Sequence, residues 1–228
     1  MQAGACSELP KATKRGKIDG VVMNKLYPEF FRRVDEAPDE LFYRTPRLQA
    51  HHIDEGADKA AFDIYNELLP ENGDILDLMA GWESHLPNKF RSVLGLGLNK
   101  LELESNPILT ESIVYDLNLN ETLPFNDNQF DGVVCTASVQ YMTRPDDTFA
   151  EMARSLKPGA PFIVAFSNRM FPSKAVLAWR SSDDAAHLRL VKSYFSQVSI
   201  FTNVSTRLFV PAQGDPLYVV WAYKRKAS

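Results

Sequence analysis

Residues 74–83 read Asp74-Ile75-Leu76-Asp77-Leu78-Met79-Ala80-Gly81-Trp82-Glu83. The apolar run Asp74–Met79 has the length of a strand buried on both faces, and it ends in an acid followed by a Gly-containing turn. Pro70 and Gly73 stop whatever precedes it. Upstream, Ala57, Ala60, Ala61, Ile64, Tyr65, Leu68 and Leu69 recur at helical spacing across Asp54–Leu69, as do Leu26, Tyr27, Phe30, Phe31 and Val34 across Asn24–Val34. Two helices are therefore expected before the first strand.

Downstream the pattern alternates. Strands are expected at Ser92–Leu98, Ser112–Tyr115, Phe130–Thr136 and Pro161–Phe166. Helices are expected at Leu101–Ser105 and at Asp146–Leu156, the latter closed by Lys157-Pro158-Gly159. A last helix, Ala185–Phe195, precedes two final strands, Gln197–Thr202 and Leu217–Lys224, joined by a hairpin connection over Val204–Pro216. Strands alternating with helices imply right-handed crossovers, so the fold class is α/β. The sheet is doubly wound, mostly parallel and seven-stranded, with an antiparallel last hairpin and helices on both faces.

The chain of 228 residues is 45% apolar and 24% charged, which suits one globular domain. Residues 1–20 are polar and aperiodic and read as a disordered tail, leaving 21–228 as the single domain. Lys+Arg number 25 against 29 Asp+Glu, a net charge of −4, so nucleic acid is not an expected partner. No apolar run reaches membrane-spanning length, and no membrane partner is expected. Cys6 and Cys135 do not suggest a disulfide, and the four histidines lack paired metal-ligand spacing, so no metal site is expected. A cytoplasmic location is expected, with an organelle as the alternative.

In an open α/β sheet ligands bind at the carboxyl ends of the strands, near the switch in strand order. Asp77 and the turn through Gly81 fall there. Asn99 ends the second strand about 20 residues further on, the spacing of a ribose-binding residue in dinucleotide folds. Tyr115-Asp116-Leu117-Asn118 ends the third. Each has a plainer role open to it. Asp77 or Asn99 could cap a helix, Asp116 could serve only its turn, and Trp82 could be a core or lid aromatic. Ser84 and His85 could touch the ligand or steady a helix start, and Cys135 reads as packed core.

Three motifs in this stretch resemble those of the class I S-adenosylmethionine-dependent methyltransferases, in particular the type 11 branch. They are Ile75-Leu76-Asp77-Leu78-x-x-Gly81, Leu123-Pro124-Phe125-x-Asp127-x-x-Phe130-Asp131 and Glu151-x-x-Arg154-x-Leu156-Lys157-Pro158-Gly159. The resemblance implies a Rossmann-like fold whose cofactor is S-adenosylmethionine, with S-adenosylhomocysteine as product. It implies that Asp77, Met79, Ala80, Gly81 and Trp82 hold the methionine part, and that Asn99 faces the ribose. Asp116, Leu117 and Asn118 then receive the adenine, and Thr136 to Tyr141 face the sulfonium and the acceptor. Residues of about 21–70 become a helical lid, from which Tyr43 and Arg47 (or Arg44) reach the cofactor. Asn168 and Arg169 follow the fifth strand, where the acceptor is expected. Tyr141 or His52 would take a proton from an acceptor that must lose one.

The chain departs from the family pattern at two places. Met79 and Glu83 stand where outer glycines are usual, and Asn99 stands where an acid is usual. Restoring the acid by Asn99→Asp is accordingly expected to tighten cofactor binding. The activity implied is methyl transfer to a small-molecule acceptor by in-line displacement. The alternatives are an S-adenosylmethionine/S-adenosylhomocysteine-binding module without turnover and, less compatible with the missing Gly-x-Gly-x-x-Gly, a nicotinamide-dependent oxidoreductase.

Overall fold

The computed structural model describes residues 28–48 and 50–226. The expected tail and the start of the Asn24–Val34 helix lie outside them. Seven strands form one sheet: β1 (Asp74–Leu78), β2 (Ser92–Gly97), β3 (Glu111–Val114), β4 (Gly132–Thr136), β5 (Pro161–Phe166), β6 (Phe201–Phe209) and β7 (Leu217–Lys224). Their order is β3-β2-β1-β4-β5-β7-β6. The first five run parallel, and β7 lies antiparallel between β5 and β6. The order reverses between β1 and β4, and Asp77 sits there, level with Gly95 on one side and Val134 on the other.

The helices are α1 (Asp39–Tyr43), α2 (Glu55–Leu68), α3 (Lys100–Ser105), α4 (Pro145–Ser155), α5 (Leu177–Arg180) and α6 (Asp184–Gln197). Local chemistry sets several of their starts. Asp54 accepts from Ala57 N to cap α2, Asn99 accepts from Glu102 N to cap α3, and Asp183 accepts from Ala186 N to cap α6. Pro145 occupies the first turn of α4, where its missing N–H is no loss. Successive strand residues point to opposite faces. Ile75, Val134 and Ile163 therefore pack under α2 with Ala57, Ala61, Ile64 and Tyr65. Leu76, Val133 and Phe162 pack on the other side with Phe149, Tyr194 and Phe195.

The two most specific sequence motifs turn out to be one clasp. Arg154 of α4 donates to the carbonyls of Leu123 and Phe125, to Asp127 and to Glu151, while Glu151 accepts from Leu123 N. They fix the loop before β4 and do not border the cleft described below.

Three elements differ from the sequence reading. Within the described part of Asn24–Val34 there is only a 3-10 turn, Pro28–Phe31, and Val34 is exposed. The sixth strand is displaced, while β7 occupies Leu217–Lys224 as expected: α6 continues through Gln197, and β6 occupies Phe201–Phe209, much of the expected connection. A register shift between Thr202 and Ser205, with Asn203 in the left-handed region, breaks the alternation by which a strand is recognised. The first strand stops at Leu78 because Met79 turns to φ 61°.

Candidate functional site

A cleft of about 930 Å3, including its part open to solvent, opens at the carboxyl ends of β1 to β4. Each strand end contributes. β1 supplies Asp77 and the turn Met79, Ala80, Gly81 and Trp82. β2 supplies Asn99, and β3 leads to Asp116, Leu117 and Asn118. β4 supplies Thr136, Ala137 and Ser138, and the following 3-10 turn (Val139–Tyr141) supplies Tyr141. Tyr43 and His52 border the cleft from the segment that precedes α2.

Asp77 is buried, accepts from Ser84 Oγ at 2.5 Å, and has its pKa pushed up to about 6 by desolvation. Ser84 in turn accepts from Asn106 Nδ2, which also holds the Gly81 carbonyl. The turn is thus pinned from behind by side chains. Met79 keeps a left-handed backbone although it carries a side chain, and Ala137 at the end of β4 does the same at φ 51°. Such backbones cost about 1–3 kcal/mol each and persist where the surroundings over-determine them. Both flank the switch point.

Several polar side chains are already committed to the protein. Asn99 Oδ1 caps α3, and its Nδ2 donates to the carbonyls of Tyr43 at 2.7 Å and Arg44 at 3.3 Å. Asn118 Oδ1 accepts from Thr143, and its Nδ2 donates to Asp39 and to the Tyr141 carbonyl. Asp116 accepts from Asn118 N, and desolvation raises its pKa. Thr136 Oγ1 is hydrogen-bonded to Tyr65 at 2.6 Å.

These bonds revise the expectation for Asn99→Asp. A carboxylate cannot donate, so it would face the two carbonyls of the covering segment as well as the neighbouring Glu102. Loss of the two bonds costs about 1–3 kcal/mol. The variant should melt several degrees lower and bind no cofactor more tightly, as thermal unfolding and calorimetry will report.

Arg47 does not line the cleft: its guanidinium donates to the Phe42 carbonyl and lies over the Phe42, Tyr43 and Phe171 rings. Asn168 is exposed and Arg169 pairs with Asp215, so neither borders it. Tyr141 Oη accepts from Phe171 N at 2.8 Å, and burial raises its pKa, so near neutrality it is a hydrogen-bond donor to the cleft and not a base. His52 stacks edge-on against Phe171, and burial lowers its pKa, which leaves a neutral imidazole able to accept a proton.

Sequence reasoning passed over Glu102 and Gly97. Glu102 is buried at the cleft wall, where Oε1 accepts from Arg47 N at 2.6 Å. Gly97 packs against the Ala80 carbonyl so closely that a Cβ would be driven into it. A glycine inside a strand signals such an approach. Among the described residues the cleft is lined by four carboxylates, Asp77, Glu83, Glu102 and Asp116, and by no Lys or Arg. It suits a ligand with positive charge.

The methyltransferase domain family matches residues 85–164, from the end of the β1 turn through β5. That match falls on a sheet with an antiparallel strand inserted beside β5 and a cleft at the β1/β4 switch. Over that stretch the chain resembles the class I S-adenosylmethionine-dependent methyltransferases. Among curated relatives, the biotin biosynthesis bifunctional protein BioHC of Teredinibacter turnerae is 35% identical over 92 residues, 40% of this chain and 16% of that protein. The ubiquinone/menaquinone biosynthesis C-methyltransferase UbiE of Chromobacterium violaceum is 33% identical over 107 residues, 45% of this chain and 43% of that protein. The chain thus spans less than half of each. The solved [4+2]-cyclase SpnF aligns over 90% of this chain and 94% of its own with a TM-score of 0.54 at 14% identity. That likeness shows a shared fold.

Proposed function

We propose that this methyltransferase-family chain binds S-adenosylmethionine in the cleft at the β1–β4 strand ends and transfers its methyl group to a small-molecule acceptor. The observation that carries this reading is the acidic lining without Lys or Arg, set at the switch point of a class I sheet. The cofactor supplies an activated methyl group on a cationic sulfur. The chain has only to hold the acceptor in line and exclude water, which together contribute up to about 7–11 kcal/mol.

The residues divide accordingly. Asp77 and the turn through Gly81 face the amino-acid arm, Glu102 takes the place beside Asn99 nearest the ribose, and Asp116 with Leu117 faces the base. The acceptor end is walled by Tyr43, Tyr141, Phe171 and His52. Neutral His52 receives a proton from an acceptor that must lose one, and Tyr141 donates a hydrogen bond to the same group. A small, aromatic-walled end agrees with a small-molecule acceptor, as does the likeness to a C-methyltransferase of quinone biosynthesis. We also infer a single domain in which the segment before α2 acts as the lid. No helix among the described residues is long and apolar enough to cross a membrane, and no metal-binding cluster occurs among them.

An ammonium-bearing ligand prefers ionised Asp77. Because that carboxyl titrates near 6, S-adenosylhomocysteine affinity should fall as the pH drops below about 6, which calorimetry in a pH series will show. Turnover is tested by incubating the protein with S-adenosylmethionine and a small-molecule extract. Stimulated release of S-adenosylhomocysteine supports the enzyme. Binding without release under every extract supports the second reading, a binding module, which the internal commitment of Asn99 and Asn118 favours.

A further inference from the structure

The cleft holds an uncompensated demand. On the reading above, its ligand carries a carboxylate on the same arm as the ammonium, yet the walls among the described residues offer that carboxylate no Lys or Arg. Arg47 is held among its aromatic rings, and Arg44 is exposed. The cationic side chains that remain are imidazoles, and one of them is built differently from the other.

His85 is buried at the wall of the cleft, directly after Ser84, the partner of Asp77. Its Nδ1 meets Asp58 Oδ1 of α2 at 2.5 Å. Its Nε2, on the far side of the ring, has no hydrogen-bond partner among the described residues. A carboxylate behind one nitrogen fixes the ring and leaves the other nitrogen available to a ligand carboxylate, toward which an N–H there is a charge-assisted donor. His52 has no such backing carboxylate bonded to it and is disfavoured as a cation by burial and by His85 itself.

We propose that the Asp58–His85 pair is the receptor for the carboxylate of the ligand's amino-acid arm, with His85 bound as the imidazolium, so that cofactor binding takes up a proton. This rests on the S-adenosylmethionine reading of the cleft. The groups that face His85 are Asp58 from α2, Asp77 from the end of β1 and His52 from the covering segment, with His51 acting on Asp58 and Glu83 on His52 behind them. Asp77 is ionised above about pH 6, so the alkaline limb isolates the histidine.

The experiment is calorimetry with two probes, S-adenosylhomocysteine and 5′-methylthioadenosine, which shares the nucleoside and thioether but lacks the amino-acid arm. Titrations run from about pH 6.5 to 8.5, across the range in which histidine titrates, in two buffers of different ionisation heat. The wild type should take up a proton on binding S-adenosylhomocysteine, and its affinity should fall with rising pH, at most about tenfold per pH unit for one proton. His85→Asn should lose the uptake and flatten the slope, with about tenfold weaker binding at the acidic end, the usual size of one lost charged hydrogen bond. Asp58→Asn, which leaves the ring in place, should shrink both effects. Methylthioadenosine should bind all three proteins alike at every pH.

Retention of proton uptake in His85→Asn overturns the proposal. So does an equal loss of methylthioadenosine binding, which would mean that the ring only supports the fold. If neither probe binds the wild type, the methyltransferase reading itself fails and the proposal falls with it, a result distinct from binding without linkage.

Discussion

Replacing Lys174 by methionine is expected to lower the melting temperature by about 10 °C. The side chain is fully buried, and its Nζ donates to the Ala37 carbonyl at 2.7 Å while pairing with Asp35 at 3.1 Å and Asp39 at 3.2 Å. Asp39 is itself buried and shared with Arg33 and Asn118. Methionine keeps most of the volume, so the change isolates the charge. Removing one partner of a buried ion pair costs about 3–5 kcal/mol, and about 1 kcal/mol moves a protein of this size by 2–4 °C. The consequence reaches the cleft, because residues 35–47 carry Tyr43 and are tied to Asn99 and Glu102. Amide exchange across that segment should quicken, and S-adenosylhomocysteine should bind more weakly. A melting temperature within 2 °C of the parent, with unchanged exchange, would show that the buried cation is dispensable.

Gly97→Ala should weaken S-adenosylhomocysteine binding about tenfold or more. The new methyl meets a backbone oxygen, that of Ala80, which cannot swing aside as a side-chain end can. Since Ala80 N is bonded to Leu96 O at 2.8 Å, the clash pushes out the very turn that lines the cleft. Overpacking of this kind costs about 1–3 kcal/mol, and 1.4 kcal/mol is a factor of about ten in affinity. Gly95→Ala is the control. Its Cβ meets only the end of the Leu109 side chain, away from the turn, so it should lower the melting temperature without a comparable loss of affinity. Equal binding by both variants would remove the Ala80 contact from the account.

The contrast between these residues shows what the sequence could convey. The sheet was readable because its central parallel strands are buried on both faces, so that Ile75–Leu78 is apolar except for Asp77 and Phe162–Phe166 is a continuous apolar run, with turn residues at their ends. β6 was not, because a bulge breaks its period and much of its outer half is exposed. Within the site, Asp77 and Asp116 were legible as acids at strand ends. Glu102 was not, because it is brought to the wall by the first turn of α3, a contact no local pattern records. Likewise Asn99 looked available for a ribose, whereas its amide is occupied by carbonyls some fifty-five residues away in sequence. Long-range hydrogen bonds of that kind decide which polar groups are free for a ligand.

The measurement that tests the central claim most directly is calorimetric titration of the protein and its Asp77→Ala variant with S-adenosylhomocysteine, with NAD as control. Asp77 is buried but bonded to the turn and not to the hydrophobic core, so its loss should fall on the ligand. The account predicts one-site binding of S-adenosylhomocysteine, no binding of NAD, and about tenfold or greater weakening in Asp77→Ala at a nearly unchanged melting temperature. Absence of both heat and thermal stabilisation of the parent protein at millimolar S-adenosylhomocysteine would contradict it, since stabilisation must follow RT ln(1 + [L]/Kd).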